Sequence, residues 1–393
     1  MLSIIQTISL MGLDGKLVEV QTDISGGLPN FEIVGLPDVT VKESKERIKS
    51  AIKNSNVEFP SRRIIINLAP ASTKKEGTSY DLPIAIGILI AQKEIINNKL
   101  ENTIFIGELS LDGKINRING VLPMCIEAMN LGIRKVILPK ANEREAAVIQ
   151  NLEIIGVQNL QEVIDYLNGN KKIEKAQIDI LKIFNKKSKE KLDFSEVKGQ
   201  ENVKRALEIA AAGGHNCILI GPPGSGKTMI AKRIPTILPD LTFEESLDVT
   251  KIHSISGILD NNIGIVTTRP FRSPHHTISP TSMIGGGRNP KPGEISLAHN
   301  GVLFLDELPE FNRTTLEILR GPLEDKEVTI SRLYSKVEYP SNFMLIASMN
   351  PCPCGYYGSE EKTCNCSKIA IEKYLNKISG PLLDRIDLHV EVK

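Results

Sequence analysis

Three short apolar runs in the second half of the chain predict buried strands. They are Cys217–Ile220, 301–305 and 343–349. Apolar runs of this length suit the centre of a parallel sheet, where both faces are covered. Each run ends in polar residues, and ligands of open α/β sheets bind at the carboxyl ends of the strands. The pattern therefore predicts a ligand site where the three runs end.

The first 170 residues alternate between the period of a strand and the period of a helix. Apolar residues at helical spacing predict a helix over 38–55, and a nearly continuous apolar stretch predicts a buried helix over 81–93. The apolar part of that second helix is too short for a membrane span. Strands are predicted over 17–22, 31–34, 64–68, 103–107 and 135–138.

A change in composition divides the chain into two domains. Residues 171–193 contain eight lysines and four acidic residues, which predicts an exposed linker or, alternatively, a DNA-contacting arm. We therefore expect a mixed α/β domain over 1–170 and a second domain over 194–393. The chain carries 24% charged residues and a net charge of +1, so any binding of a polyanion requires a local patch.

The turn after the first apolar run has the spacing of a phosphate-binding loop. In Gly-x-x-x-x-Gly-Lys-Thr, glycines allow backbone N–H groups to surround an anion. Lys227 can then reach the β- and γ-phosphates of ATP, and Thr228 can hold Mg²⁺. The alternative is a glycine-rich strand-to-helix turn without a ligand. The predicted nucleotide-binding residues are Gly221, Pro222, Pro223, Gly224, Ser225, Gly226, Lys227 and Thr228.

The second apolar run ends in two carboxylates, Asp306 and Glu307. We predict that Asp306 faces the Mg²⁺ ion and that Glu307 polarises the attacking water as a general base. The two residues could instead cap the next helix, but that helix has its own start signal near Asn312.

Two further polar residues are candidates for catalysis. Asn350 follows the third apolar run and could orient the attacking water, or could simply cap the next turn. Arg385 lies in a turn over 379–387 and could act as an arginine finger in the site of a neighbouring subunit. Its alternative role is a structural ion pair with Asp384 or Asp387.

Four cysteines between Asn350 and Arg385 predict a metal site. Two Cys-x-Cys pairs within one loop favour a tetrahedral zinc site over disulfides if the compartment is reducing. The N-terminus lacks a basic segment and a cleavage site, so we expect a cytoplasmic protein with reduced thiols. The predicted zinc ligands are Cys352, Cys354, Cys364 and Cys366.

The long interval between Lys227 and Asp306 contains two Pro/Gly-rich segments, 269–276 and 285–293. Segments of this kind are loops and are usually functional. Their adjacent residues His275 and His276 are interpreted as surface residues rather than metal ligands. A predicted hairpin over 327–340 is either a strand-separating finger or a plain surface hairpin.

Together these motifs resemble the AAA+ proteins related to the magnesium chelatase ATPase subunit, and more closely the bacterial ComM/YifB family. The marks of that resemblance lie at 197–200, 292–299, 349–355 and 379–387. The resemblance implies a parallel AAA+ sheet, a hexameric ring, and ATP-driven translocation on single-stranded or branched DNA. It also implies pore contacts from the 285–293 loop and the 332–336 hairpin. Family members continue into a helical lid, so a chain that ends at Lys393 is expected to bind nucleotide and turn over slowly.

The first domain resembles the C-terminal domain of Lon proteases, an α+β fold of the ribosomal S5 domain 2 type. Residues 75–79 match the surroundings of the Lon nucleophile, which places Ser79 at that position. Leu122 stands where the catalytic lysine would fall, and a serine without its base is a weak nucleophile. We therefore predict a structural or ring-assembly domain without protease activity.

The motifs favour a DNA-dependent motor ATPase. Two alternatives are a protein-remodelling ATPase like magnesium chelatase, and a nucleotide-binding module with little turnover. Glu307→Gln separates the last alternative from the others, because it slows only a chain that hydrolyses ATP.

Overall fold

The computed structural model describes residues 1–96, 100–185, 192–287, 290–332, 335–358 and 362–393. The chain forms two compact units. The first comprises Met1–Leu181 and Ser254–Ile265, and the second comprises Lys182–His253 and Val266–Lys393. The second domain was predicted over 194–393. The segment Ser254–Ile265 falls within those bounds but belongs to the first unit. Within the described part of the chain, no helix is long and apolar enough to cross a membrane.

The first unit contains a mixed seven-stranded sheet in the order β3-β4-β2-β1-β5-β8-β9. The pairs β1–β2 and β2–β4 are antiparallel, whereas β1–β5, β5–β8, β8–β9 and β3–β4 are parallel. A short antiparallel pair, β6–β7, lies outside this sheet. The strands are β1 Leu2–Met11, β2 Asp14–Ser25, β3 Asn30–Val34, β4 Arg63–Ala69, β5 Thr103–Phe105, β6 Glu108–Leu109, β7 Ile115–Asn116, β8 Lys135–Pro139 and β9 Glu153–Val157.

The helices of this first half of the chain include the two predicted from spacing. Asp38 caps the first of them by accepting a hydrogen bond from the Val41 N–H at 2.8 Å. The second is buried along almost its whole length and packs on β1 and β2. The helices are α1 Val39–Asn54, α2 Asp81–Ala91, α3 Val121–Asn130, α4 Glu143–Ala146, α5 Leu160–Leu167 and α6 Ile180–Asn185.

The five strands predicted in this region are confirmed as β2, β3, β4, β5 and β8. Strands β1, β6, β7 and β9 were not predicted, and of these β1 pairs with β2 along its full length. Of the predicted linker, α6 covers Ile180–Asn185, and residues 186–191 lie outside the described residues.

The segment Ser254–Ile265 is held in the first unit by buried polar contacts. The Glu145 carboxylate, which is almost fully buried, accepts hydrogen bonds from the Ser254 hydroxyl and from the Leu122 N–H at 2.9 Å. Arg117 donates to the Leu259 carbonyl at 2.6 Å and to the side chain of Asn261. Because a buried carboxylate is costly without partners, these hydrogen bonds tie the segment to the unit.

The second unit is built on a five-stranded parallel sheet in the order β11-β14-β17-β10-β18. Its three inner strands are the apolar runs predicted from the sequence, and all their residues are buried except Ile220, which is half-buried. Two antiparallel hairpins, β12–β13 and β15–β16, accompany the sheet. The strands are β10 Cys217–Ile220, β11 Phe271–Arg272, β12 Gly285–Gly286, β13 Lys291–Pro292, β14 Val302–Leu305, β15 Glu327–Arg332, β16 Ser335–Pro340, β17 Met344–Met349 and β18 Leu388–Glu391.

The helices of the second half of the chain are mostly short. Asn312 caps α12 by accepting from the Thr314 N–H, as its start signal predicted. The helices are α7 Glu201–Gly213, α8 Lys227–Ala231, α9 Phe243–Ser256, α10 Pro280–Ile284, α11 Glu294–Leu297, α12 Arg313–Glu317, α13 Arg320–Asp325, α14 Lys368–Leu375 and α15 Gly380–Leu383.

The topology explains why the candidate residues meet. Strand β17 lies between β10 and β14, and all three run parallel. Their carboxyl ends therefore share one edge of the sheet, where the phosphate loop, the acidic pair and Asn350 follow.

Candidate active site

The phosphate loop, residues 221–228, has a backbone that only glycine accommodates at several positions. Gly224 and Gly226 have φ values of +83° and +86°, in the left-handed region. A Cβ at Gly221 would collide with the carbonyl oxygen of Val392, so the loop passes directly against the residue that follows β18. The Ser225 hydroxyl is buried and has no hydrogen-bond partner among the described residues. These features fit a loop whose polar groups serve a bound phosphate.

Lys227 places its ammonium group inside this loop. Its side chain is buried, and Nζ donates to the carbonyl oxygens of Gly221 and Pro222, both at 2.8 Å. Burial lowers the pKa of Lys227, while the charges of Asp306 and Glu307 act in the opposite direction. A cation held in this position is a counter-charge for phosphate oxygens.

Thr228 and Asp306 form the second part of the site. The Thr228 hydroxyl donates to Asp306 Oδ2 at 2.7 Å. The other oxygen, Oδ1, accepts from the Ser348 hydroxyl and from the Glu307 N–H at 3.1 Å. Hydroxyl and carboxylate oxygens are the ligands that Mg²⁺ prefers, so this pair fits the predicted ion.

Sequence analysis missed Ser348. It is the one polar residue of β17, and its side chain is buried. A serine within an apolar strand next to a ligand edge was the available signal. Its hydroxyl fixes Asp306 and also accepts from the Glu307 N–H at 3.3 Å, so it orients both acidic residues.

Glu307 presents its carboxylate to solvent at the rim of the site. Its side chain is 61% exposed, and its backbone is left-handed with φ of +55°. A non-glycine residue in that region is strained and persists where its surroundings impose it. His276 Nδ1 lies 3.9 Å from Glu307 Oε2, and His275 contacts the Thr277 hydroxyl instead. An exposed carboxylate beside the magnesium pair can reach a water molecule.

The structure brings Asn350 to the phosphate loop. Its Oδ1 accepts from Lys227 Nζ at 3.3 Å, so the side chain points into the site. Arg385 is elsewhere, because its guanidinium pairs with Glu324, with Nε at 2.7 Å from Oε1. The ion pair with Asp384 or Asp387 that the sequence left open is replaced by this one. Asp387 accepts instead from the Asn216 N–H at 2.9 Å.

The four cysteines of the second unit form a cysteine cluster, defined here as Cys352, Cys354, Cys364 and Cys366. Their sulfur atoms all lie within 4.8 Å of one another. Cys352 Sγ is 3.3 Å from Cys354 Sγ and 3.7 Å from Cys364 Sγ. The Tyr356 N–H and the Cys352 thiol lower the pKa of Cys354 to about 6. Among the described residues, this is the only such group of metal-ligating side chains.

The cluster geometry fits zinc. Four Zn–S bonds of about 2.3 Å in a tetrahedron place the sulfur atoms about 3.8 Å apart. Two observed sulfur–sulfur distances, 3.6 and 3.7 Å, lie close to that value, and the Cys352–Cys354 distance of 3.3 Å is shorter.

In the first unit the structure places both Lon-like positions in the interior. Ser79 is buried, and Leu122 is fully buried in α3. A leucine supplies no base for the serine, and the absence of protease chemistry stays a prediction.

Comparisons with known proteins decide the family. A family model described as magnesium chelatase, subunit ChlI, matches residues 193–393, and a second model, subunit ChlI of Mg-chelatase, matches residues 20–142. YifB of Escherichia coli K12, an uncharacterised protein, is 46% identical over 392 residues, which cover 100% of this chain and 76% of YifB. The chain belongs to the ComM/YifB family of magnesium-chelatase-like AAA+ proteins.

Two other relatives of the ComM/YifB chain are informative. Competence protein ComM of Haemophilus influenzae is 44% identical over 396 residues, covering 100% of this chain and 76% of ComM. Lon protease 2 of Bacillus subtilis is 27% identical over 184 residues, covering 42% of this chain and 33% of the protease. The predicted family and the α/β fold with an AAA+ module are therefore confirmed, and the likeness to Lon is partial.

Proposed function

We propose that this ComM/YifB protein is an ATP-hydrolysing motor that acts on single-stranded or branched DNA. One observation carries the ATPase part of the proposal. The phosphate loop, the acidic pair and Asn350 converge at one sheet edge, with Lys227 bonded to Asn350 and Thr228 bonded to Asp306. This is the set of groups that phosphoryl transfer from ATP to water requires.

Each residue has a role that its position supports. Lys227 neutralises the β- and γ-phosphates, and the backbone of the phosphate loop surrounds them. The exposed Glu307 carboxylate polarises the attacking water and takes its proton. Asn350 exchanges its contact with Lys227 for one with the γ-phosphate or the water. Bound Mg²⁺, held by Thr228 and Asp306, supplies charge neutralisation of the phosphates.

The DNA part rests on the relatives and on two hairpins. A relative 44% identical to this chain is named a competence protein, which supports a role in natural transformation. The hairpins β12–β13 and β15–β16 fall in the segments predicted to contact DNA in the pore, and Lys291 and Lys336 are exposed there. Residues 288–289 and 333–334 of these segments lie outside the described residues.

The decisive experiment measures ATP hydrolysis with and without forked DNA. We expect forked DNA to stimulate the wild type, and Lys227→Ala to remove activity under both conditions. Replacing Lys291 and Lys336 by alanine should reduce the salt dependence of DNA binding, with a slope lower by about one per lysine. Lys53→Ala, an exposed lysine of α1, is the matched control. Hydrolysis by the wild type that ignores every DNA structure would contradict the DNA assignment.

A second candidate function is protein remodelling, as in magnesium chelatase. The match of residues 193–393 to the chelatase subunit favours it. Stimulation of hydrolysis by a protein partner, with no effect of DNA, would support this candidate over the first.

We also propose a ring, with six subunits, completed by Arg385 acting in a neighbour's site. The Glu324 pair leaves this guanidinium about two-fifths exposed, so it is accessible to a second copy. Sedimentation with ATP and the Glu307→Gln variant tests the assembly.

Finally, we propose that the cysteine cluster holds a structural zinc ion. The sulfur–sulfur distances and the four converging thiols support it. A reducing compartment favours zinc over disulfides, so this proposal is consistent with the expected cytoplasmic location.

A further inference from the structure

The cysteine cluster lies in a segment that begins and ends at the nucleotide site. The segment follows Asn350 at the end of β17 and leads into α14. At its far end, Tyr374 lies near Asn350, whose backbone partly opposes the rise in the Tyr374 pKa that burial causes. Both ends of the cysteine segment therefore lie near the residue whose side chain contacts Lys227.

Between these ends, the segment touches the phosphate loop through Gly355. The Gly355 N–H donates to the Cys352 carbonyl at 2.9 Å, so Gly355 lies in the same turn as Cys352 and Cys354. A Cβ at Gly355 would lie 2.5 Å from Cδ and 2.8 Å from Cγ of Pro223. Such distances are below any van der Waals contact, so the glycine backbone itself packs on the proline ring of the loop.

Among the described residues of the segment, few apolar side chains are buried to hold this position. Cys352 is its one cysteine that is fully buried, and Tyr357 is more than half exposed. An ordered loop without a core of its own needs another source of free energy to offset its conformational entropy. A metal ion that cross-links four thiolates supplies it, as in small zinc domains.

We propose that the metal-loaded cysteine cluster positions the phosphate loop by holding Gly355 against Pro223, so that metal occupancy sets the affinity for ATP. The inference rests on the proposed ATPase function for the identity of the ligand. The metal takes no part in hydrolysis. It restrains the ring of Pro223 from one side, through the backbone of Gly355.

Two glycine variants test the contact. Gly355 and Gly358 have φ values of +87° and +77°, so an alanine at either position suffers similar backbone strain. Only Gly355 faces Pro223, whereas a Cβ at Gly358 would have no atom within 4 Å. We expect Gly355→Ala to weaken binding of a fluorescent ATP analogue about tenfold or more, and Gly358→Ala to change it less than about twofold. Both proteins should retain one zinc ion per chain by elemental analysis.

A double variant separates the loss of this specific contact from a general misfolding of the Gly355→Ala protein. Pro223→Ala removes the Cγ and Cδ atoms that the new methyl group would strike. We therefore expect Pro223→Ala to restore part of the affinity that Gly355→Ala loses, so that the two changes are not additive. Additive losses would show that the two residues act independently, which overturns the inference.

The second experiment removes the metal from the cysteine cluster. Zinc is displaced with a mercurial reagent and the protein is dialysed against a chelator, after which Mg²⁺ is restored. Affinity for the ATP analogue should fall together with zinc content and return when zinc is added. Cys364→Ser should reproduce the loss, and Cys125→Ala, a buried cysteine of the first unit, should not. Zinc-free, folded protein that binds ATP as tightly as the loaded protein would overturn the inference. A wild type that binds no better than Lys227→Ala would overturn the proposed function as well.

Discussion

Replacing Ser348 by alanine should impair the use of Mg²⁺ by this ATPase. The Ser348 hydroxyl is buried and donates to Asp306 Oδ1, while it accepts from the Glu307 N–H. Alanine removes both hydrogen bonds but leaves the carboxylate in place. The Asp306 carboxylate then loses one of the groups that donate hydrogen bonds to it. The Glu307 N–H loses one of its two hydrogen-bond acceptors.

The size of the effect follows from the charge on Asp306. A hydrogen bond to a charged group contributes about 1.5–3 kcal/mol, and each 1.4 kcal/mol is a factor of ten. We therefore expect the Mg²⁺ concentration for half-maximal hydrolysis to rise, or the rate at saturating Mg²⁺ to fall, by about 10- to 150-fold in total. The measurement is the rate of ATP hydrolysis across a series of MgCl₂ concentrations.

The chain provides a matched control in Ser341. It is as buried as Ser348, but its hydroxyl has no hydrogen-bond partner among the described residues. Ser341→Ala should leave the Mg²⁺ dependence unchanged. If Ser348→Ala and Ser341→Ala gave the same Mg²⁺ titration, the hydrogen bond to Asp306 would have no role in metal binding, and the reasoning would be refuted.

Three other predictions concern catalysis, assembly and stability. Lys227→Ala should abolish ATP binding. The Glu307→Gln protein should bind ATP with near-normal affinity, but should hydrolyse it at least about 100-fold more slowly in single-turnover assays. Arg385→Ala should retain ATP binding and lose the rise of specific activity with protein concentration; equal rates at all concentrations in the wild type would contradict the arginine finger. Burial raises the pKa of Asp81 to about 6, although the Arg47 hydrogen bond opposes it. Between about pH 4 and 6, Asp81 therefore keeps its proton in the folded state but loses it in the unfolded state. The free energy of unfolding should fall as pH rises through that range. Urea titrations should show that Asp81→Asn makes the free energy of unfolding less dependent on pH.

The convergence of the candidate site residues was largely predictable from the sequence because their motifs are local. The phosphate loop depends on spacing within eight residues, and the acidic pair follows a strand whose apolar run is unmistakable. Parallel pairing then brings the loop, the pair and Asn350 to one edge, with no further information needed. The sequence could not show that Asn350 would contact Lys227, since that distance depends on side-chain rotamers.

Other features depend on long-range packing, which no local pattern encodes. Strand β1 does not alternate regularly, because Ile4 and Ile5 are both apolar and the next two residues are both polar, so no period of two marks it as a strand. Arg385 has three acidic residues within reach, and only the fold selects Glu324 over its sequence neighbours. The contact between Gly355 and Pro223 joins residues far apart in the chain, and a glycine in a loop gives no hint of its partner.

The assignment of Ser254–Ile265 to the first unit affects how the protein can be dissected. A truncation after residue 170 would retain the sheet of that unit but omit a segment that the unit contains. The buried Glu145 carboxylate would then lose the hydrogen bond from the Ser254 hydroxyl, and Arg117 would lose the Leu259 carbonyl. An N-terminal piece expressed alone should thus be less stable than the same residues in the full chain. To isolate this unit intact, the segment 254–265 must be joined to the N-terminal piece.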